Sequence, residues 1–489
     1  MLGFMLPTWF LSMWMSNTAT TAMMITIVEA VLISLNSIEQ NVEQNTVTSR
    51  KTPSKHPGSK FMKNAHNPNE DVYSDENQMT LEPASILIVD ASETTDEQPE
   101  NNLKTNELSD SMAESIETVR KLNKALSLCV CYASTCGGIG TVTGTAPNSI
   151  FFGQVNSLFG SDTGLTFSTW MAFACPISII LLLLIWLWLT VRYFGLRGCF
   201  RKSTNEDQCK FIEKIITREA DSLGTFNYAE GMCCVLFVLI TALWTTRNVG
   251  ELGWGKYFKN PSGQTFVTDT QPAILVALLA LILPAVNPVQ LYRRRSEYRG
   301  DATALANLQD QFLLPWHVAQ RRCPWGVLII LGGGYALSDI CQSSGLSALV
   351  GQTLGERVGG LSTTALIFVC CLISATITEF TSNAATVSIL LPIIFSLGSS
   401  LGLHPFLLAL PTTIGTSFAF SLPAATPPNS IVFGKGRISV KDMVQSGIPL
   451  NIVGCLITLA ATITYAQPLF GLDTVPEWAV NGTLTSFLN

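Results

Sequence analysis

Residues 12–20 read SMWMSNTAT and residues 378–386 read TEFTSNAAT: a hydroxyl side chain, three further residues, Ser-Asn, then a small residue, Ala and Thr. A second pair follows each in the same order, TAPNSIFFG at 145–153 and TPPNSIVFG at 426–434. Two unlike motifs recurring in one order are the mark of an internal duplication. Asn148 lies 131 residues after Asn17, whereas Asn429 lies 46 after Asn383, an excess of 85. The first repeat is therefore the second with an insertion.

That insertion is legible in the composition. Of the 35 acidic residues, 16 fall between 38 and 121, among Asn, Ser, Thr, Glu and Pro. The stretch reads as a disordered loop. The rest is apolar: the chain of 489 residues is 47% hydrophobic and 13% charged, about half the charge of a soluble protein. Windows at 171–191, 231–246, 272–291 and 447–466 reach membrane-spanning length with almost no charge. A polytopic membrane protein in a lipid bilayer is expected. The 13 cysteines show neither metal-ligand nor disulfide spacing and read as buried thiols. No cleavable signal peptide is expected, since the start lacks a charged region and an A-x-A site.

Basic residues set the orientation. With 193–218 cytoplasmic, alternation of the spans gathers 16 Lys and Arg inside, within 192–218, 293–322 and 435–441, against Lys256, Lys259 and Arg357 outside. The C-terminus then lies outside, where Asn481 in NGT matches a glycosylation acceptor. Between the two Ser-Asn motifs fall five crossings, near 125–160, 170–191, 230–247, 271–291 and 325–350. An odd number makes the repeats inverted. Segments broken at corresponding positions of two halves point to a secondary transporter's binding site, each Ser-Asn motif being the tip of a re-entrant helical hairpin.

The chemistry of such tips follows from their side chains. A helix broken inside a bilayer frees amides and carbonyls, tolerated where they line a cavity or meet an ion. Oxygens of Ser, Asn and Thr with free carbonyls are hard neutral ligands for a small cation. Ser12 and Thr378, four residues ahead of Ser16 and Ser382, share their helical face. Half-helix N-termini favour an anion in the same space. An anionic substrate would draw its countercharge from co-bound cations, which is a mechanism for symport.

At these residues the chain resembles the divalent anion:sodium symporter family, most closely its sodium-dependent citrate and dicarboxylate transporters. The supporting stretches are FLSMWMSNTATTAMM, LSLCVCY, GGIGTVTGTAPNSI, ILGGGYALSD, TEFTSNAATVSILLPI and SFAFSLPAATPPNSIVF. The resemblance implies an all-α fold with two re-entrant hairpins and two broken transmembrane helices. It also implies an elevator-type homodimer in the plasma membrane, with transport and scaffold domains. It places one co-transported sodium at Ser12, Ser16, Asn17 and the Gly144 carbonyl, and another at Thr378, Ser382, Asn383 and the Ala425 carbonyl. Substrate carboxylates fall to Asn17, Thr18, Thr145, Ser382, Asn383, Thr426 and Pro427. Ala384 departs from the pattern, lacking the hydroxyl of Thr18.

The expected organisation is a first hairpin at 1–35, a cytoplasmic loop at 36–121, a broken helix and following helices at 122–247, and an extracellular loop at 248–270. Helices of the second repeat follow at 271–350, the second hairpin at 351–400, a broken helix and last span at 401–468, and an extracellular tail at 469–489. Spans equivalent to 230–350 should precede the first hairpin, so an N-terminally truncated, poorly transporting chain is expected.

Competing readings remain at single sites. Small polar residues also join transmembrane helices, but duplication favours a site. The GGGYALSD run at 332–339 lacks the Gly-Lys-Ser/Thr ending of a phosphate loop and reads as close helix packing. His56, His66, His317 and His404 are too scattered for a metal site. Glu379, the carboxylate beside these motifs, either binds a proton or structures the hairpin. A channel would need a continuous polar lining, an enzyme a convergent nucleophile and base; neither pattern nor a nucleic-acid partner is indicated. Sulfate is the main competing substrate.

Overall fold

The computed structural model describes residues 1–32, 99–160, 163–198, 217, 221, 224–247, 253–258, 267–287, 289, 312–323, 325–358 and 360–479. The chain separates into two compact units, Met1–Leu32 with Arg120–Asn489, and Ile33–Val119. Among the described residues the protein is helical and has no strand; Pro284 and Phe312 form an isolated bridge.

The first repeat comprises α1 (Leu2–Ser12), α2 (Asn17–Leu32), α3 (Pro99–Ile139), α4 (Ala146–Phe159) and α5 (Phe167–Gly198). Next come α6 (Tyr228–Thr246), α7 (Thr270–Ile282), α8 (Trp316–Arg322), α9 (Trp325–Ser343) and α10 (Leu346–Val358). The second Ser-Asn and Pro-Asn motifs lie among α11 (Thr363–Ile377), α12 (Asn383–Ser400), α13 (Pro405–Gly415), α14 (Pro427–Gly434) and α15 (Val440–Ile463), followed by the short α16 (Ala466–Phe470). Among the described residues four helices are long and apolar enough to cross a membrane: Phe167–Gly195, Tyr228–Thr246, Asn383–Ser400 and Val440–Ile463.

Local chemistry sets the boundaries. Ser382 caps α12 by accepting the Ala385 N–H, and Asn227 with Glu230 forms a capping box on α6. Proline opens α4, α13 and α14, where its missing N–H costs nothing. Pro176 and Pro449 each stand tenth in their helices, α5 and α15.

Three expectations change. The loop expected at 36–121 gives way to helix from Pro99, where Leu, Lys, Glu and Ala favour it; residues 36–98 lie outside the described residues, as does Asn481. The window 272–291 is not one helix, because α7 stops at Ile282. Leu283, preceding Pro284, is extended at ψ 137°, as the proline ring demands of the residue before it. The crossing at 325–350 is divided into α9 and α10 at Gly345, whose φ of 72° favours glycine.

The core is shared by both repeats. Phe151 of α4 packs on Trp170, Phe395 and Phe406 with ring centroids 5.7, 6.4 and 5.7 Å away. Polar ties add direction where lipid supplies little drive for helices to associate: the Tyr132 hydroxyl donates to the Phe420 carbonyl at 3.0 Å and the Cys131 thiol to Asn429 Oδ1 at 2.8 Å. Among the described residues six cysteines are buried as expected, at 129, 131, 136, 370, 371 and 455, whereas Cys175, Cys323 and Cys341 are half-buried and Cys233 and Cys234 are exposed on α6. In the glycine run only Gly334 approaches α12, where a Cβ would lie 3.0 Å from Ser388; a Cβ on Gly332 or Gly333 would meet nothing within 4 Å.

Candidate functional site

Each Ser-Asn motif is the turn between two helices, α1 to α2 and α11 to α12. In the first, Ser12 Oγ lies 2.7 Å from Asn17 Oδ1 and 2.7 Å from the Ser134 carbonyl of α3. In the second, Thr378 Oγ1 lies 2.8 Å from Asn383 Oδ1 and 2.8 Å from the Thr416 carbonyl after α13. The duplication read in sequence is thus a duplication of geometry. Each cluster gathers three oxygens around one hydroxyl proton, which can serve only one acceptor fully. Such a cluster is rich in lone pairs and carries no net charge.

The flanking residues repeat as well. Ser16 Oγ accepts the Ala19 N–H at 3.3 Å, and Ser382 Oγ accepts the Ala385 N–H at 3.2 Å. Ser12 and Thr378 are buried, Asn17 and Asn383 half-buried, and Ser16, Thr18 and Ser382 exposed.

The breaks between α3 and α4 and between α13 and α14 are built alike. Asn148 Nδ2 donates to the carbonyls of Gly138, Ile139 and Thr141 at 3.1, 3.2 and 2.7 Å. Asn429 Nδ2 donates to those of Ala419 and Leu422 at 2.9 and 2.8 Å. The next residues follow suit, Ser149 Oγ donating to the Val142 carbonyl at 2.9 Å and Ser430 Oγ to the Pro423 carbonyl at 2.7 Å. Carbonyls that a broken helix would leave orphaned are thereby satisfied from within the break.

These breaks carry the remaining predicted residues. A Cβ on Gly138 would stand 2.4 Å from Asn17 Oδ1, and one on Gly144 would stand 2.5 Å from the Gly138 carbonyl oxygen. Gly144 thus packs on Gly138 and Gly138 on Asn17, approaches that a Cβ at either glycine would block. Ala425 holds the matching place in the second break: its N–H reaches the Leu422 carbonyl at 3.3 Å, as the Gly144 N–H reaches Thr141 at 3.4 Å. Thr145 and Thr426 are the N-cap residues of α4 and α14, both extended and neither using its hydroxyl as a cap. Thr426 Oγ1 is buried and unpartnered, while Pro427 is exposed. Four helix N-termini, of α2, α4, α12 and α14, open at these motifs and bring partial positive charge.

Sequence reasoning missed Ser134, Gly138 and Thr416, which belong to no repeated motif, and left Glu379 open. Glu379 Oε1 accepts the Ser421 N–H at 2.9 Å and Asn451 Nδ2 at 2.6 Å, and Oε2 accepts the Leu422 N–H at 2.9 Å. It is a clamp on the second break.

Known proteins share this organisation of sequence. The family described as sodium:sulfate symporter transmembrane region matches residues 1–472. The rat Na(+)/citrate cotransporter is 36% identical over 98% of this chain and 77% of its own length. Human solute carrier family 13 member 2 is 37% identical over 100% of this chain and 77% of its own. The human Na(+)/dicarboxylate cotransporter 3 is 34% identical over 98% of this chain and 75% of its own. With a family match over residues 1–472 and relatives above 30% identity of which this chain covers three quarters or more, the chain belongs to the sodium:sulfate symporter family.

Proposed function

We propose that this chain is a sodium-coupled symporter of di- or tricarboxylates such as succinate and citrate, a multi-pass protein of the plasma membrane. The observation that carries the reading is the pair of neutral oxygen clusters at Ser12 and Thr378. One sodium is held by Ser12, Ser16, Asn17 and the Gly144 carbonyl, the other by Thr378, Ser382, Asn383 and the Ala425 carbonyl. Between them the substrate carboxylates meet Asn17, Thr18, Thr145, Ser382, Asn383, Thr426 and Pro427, with helix N-termini supplying the rest of the positive field. Neither cluster holds a fixed cationic side chain, so anion binding without sodium is unfavourable, and that dependence is the coupling. The relatives whose names specify citrate or dicarboxylate favour carboxylates over sulfate. In this reading α1–α2 and α11–α12 are re-entrant hairpins of inverted repeats, riding in a transport domain that moves as an elevator against a scaffold within a homodimer.

The test is uptake of labelled citrate, succinate and sulfate into proteoliposomes under an imposed sodium gradient. Saturable, sodium-dependent carboxylate uptake supports the reading, and its strength tests the expectation of poor transport. Sodium-dependent uptake of sulfate alone would replace the substrate, and carboxylate flux indifferent to sodium would refute symport.

A further inference from the structure

We propose that Thr21 is a positioning residue that braces the first oxygen cluster, so that the two clusters, alike in their ligands, differ in rigidity and in ion selectivity. The inference rests on the sodium reading of the Ser12 cluster. Thr21 Oγ1, on α2, donates to Ser134 Oγ at 2.7 Å, and Ser134 Oγ donates to the Cys131 carbonyl at 3.0 Å. The carbonyl of that same Ser134 receives Ser12 Oγ. Thr21, Ser134 and Ser12 are all fully buried. Hairpin and broken helix are therefore joined twice at one residue: α1 grips its carbonyl, α2 its hydroxyl.

The second cluster lacks the brace. Thr416 Oγ1 donates back to the Thr413 carbonyl at 2.7 Å, as Ser134 does to Cys131, but Val387 occupies the position of Thr21 and has no hydroxyl to offer. The hydroxyl pair that the second repeat has instead, Thr381 with Thr386 at 2.6 Å, stays inside the hairpin. In the first repeat Met15 stands at the position of Thr381, and Thr20 Oγ1 is buried with no partner. Each half spends its extra hydroxyl differently, and only the hydroxyl of Thr21 adds a second tie at the residue whose carbonyl the hairpin already grips. A rigid oxygen cage discriminates between cations by size, whereas a compliant one shrinks or swells around each.

The experiment compares Thr21→Val, Thr21→Ser, Val387→Thr and Ser12→Ala with the unmodified protein in proteoliposomes, reading the sodium concentration for half-maximal carboxylate uptake and the uptake supported by lithium relative to sodium. Thr21→Val is expected to raise the former about tenfold, the lower end for residues supporting metal ligands, and to raise the lithium share. Thr21→Ser is expected to restore both. Val387→Thr is expected to lower the lithium share. Unchanged sodium activation and lithium share in Thr21→Val would overturn the brace. Should Thr21→Val fail to fold, Thr21→Ala and Thr21→Ser decide, and equal values in those two would overturn it. Ser12→Ala separates the premises: an unchanged sodium concentration for half-maximal uptake in that variant defeats the sodium reading of the Ser12 cluster, whereas a raised one alongside a silent Thr21→Val defeats the brace alone.

Discussion

The two breaks are tied to their hairpins at the same place by opposite chemistry. One residue past the key hydroxyl, the first hairpin presents the backbone carbonyl of Met13, which accepts the Thr141 hydroxyl. At the corresponding place the second presents the carboxylate of Glu379, which accepts two backbone N–H groups of its break. Backbone accepts from side chain in one repeat, and side chain accepts from backbone in the other. The comparison teaches that the duplicated geometry is what is kept, and that side chains are exchanged around it wherever the partner changes with them.

The largest effect should come where the halves differ in available space. Gly138→Ala pushes a methyl group into the Asn17 carboxamide that Ser12 grips, whereas the second repeat already has Ala419 at that position. Sodium-driven uptake by Gly138→Ala is expected to fall by at least about tenfold, a loss of about 1.4 kcal/mol, with protein still reaching the membrane. Ala419→Gly should leave uptake nearly unchanged, and equal losses would dissolve the asymmetry.

Next come the asparagines inside the breaks. Asn148→Ala abandons three carbonyls and Asn429→Ala two, each change costing about 1–3 kcal/mol as buried acceptors lose their donor. Thermal unfolding in detergent should rank Asn148→Ala below Asn429→Ala. The reverse ranking would give the thiol contact from Cys131 the greater weight.

The Met13 and Glu379 ties are separable by one pair of variants. Glu379→Gln turns an amide NH2 toward N–H groups that need acceptors, at a cost of about 1–3 kcal/mol. Met13→Leu leaves the carbonyl tie intact and should cost less than about 1.5 kcal/mol. A destabilisation by Met13→Leu as large as that by Glu379→Gln would show that the side chain, not the carbonyl, holds the first break.

The smallest effect concerns the start of each broken helix. α13 begins at Pro405, where His404 Nδ1 accepts the Phe406 N–H at 3.0 Å; the first broken helix runs on from Pro99 and needs no cap there. Burial holds the His404 imidazole down at about 4. Between that value and the usual value of about 6.5, the unfolded chain takes up a proton that the folded protein refuses. Stability should therefore fall as pH drops through this window. His404→Asn keeps a capping oxygen and should flatten that dependence; an unchanged pH profile would remove His404 as its source.

Much of this organisation is written in consecutive residues. The Ser-Asn and Pro-Asn repeats, the apolar helices and the capping residues are local features. What escaped were groups that act through the backbone or by being small. Ser134 and Thr416 contribute carbonyls, which any residue could supply, and Gly138 contributes only the absence of a Cβ. The windows at 272–291 and 325–350 misled because hydropathy averages over Pro284 and Gly345.

Composition and repetition are enough to specify a helical membrane chain with a duplicated pair of oxygen-bearing motifs, because both survive without a third dimension. Only the tertiary structure decided which oxygens meet. Ser12 and Ser134 are 122 residues apart, Thr378 and Thr416 are 38, and Glu379 finds Asn451 at a distance of 72. Contacts across such separations depend on how helices cross, which is set by packing among many side chains at once and leaves no mark in any single stretch.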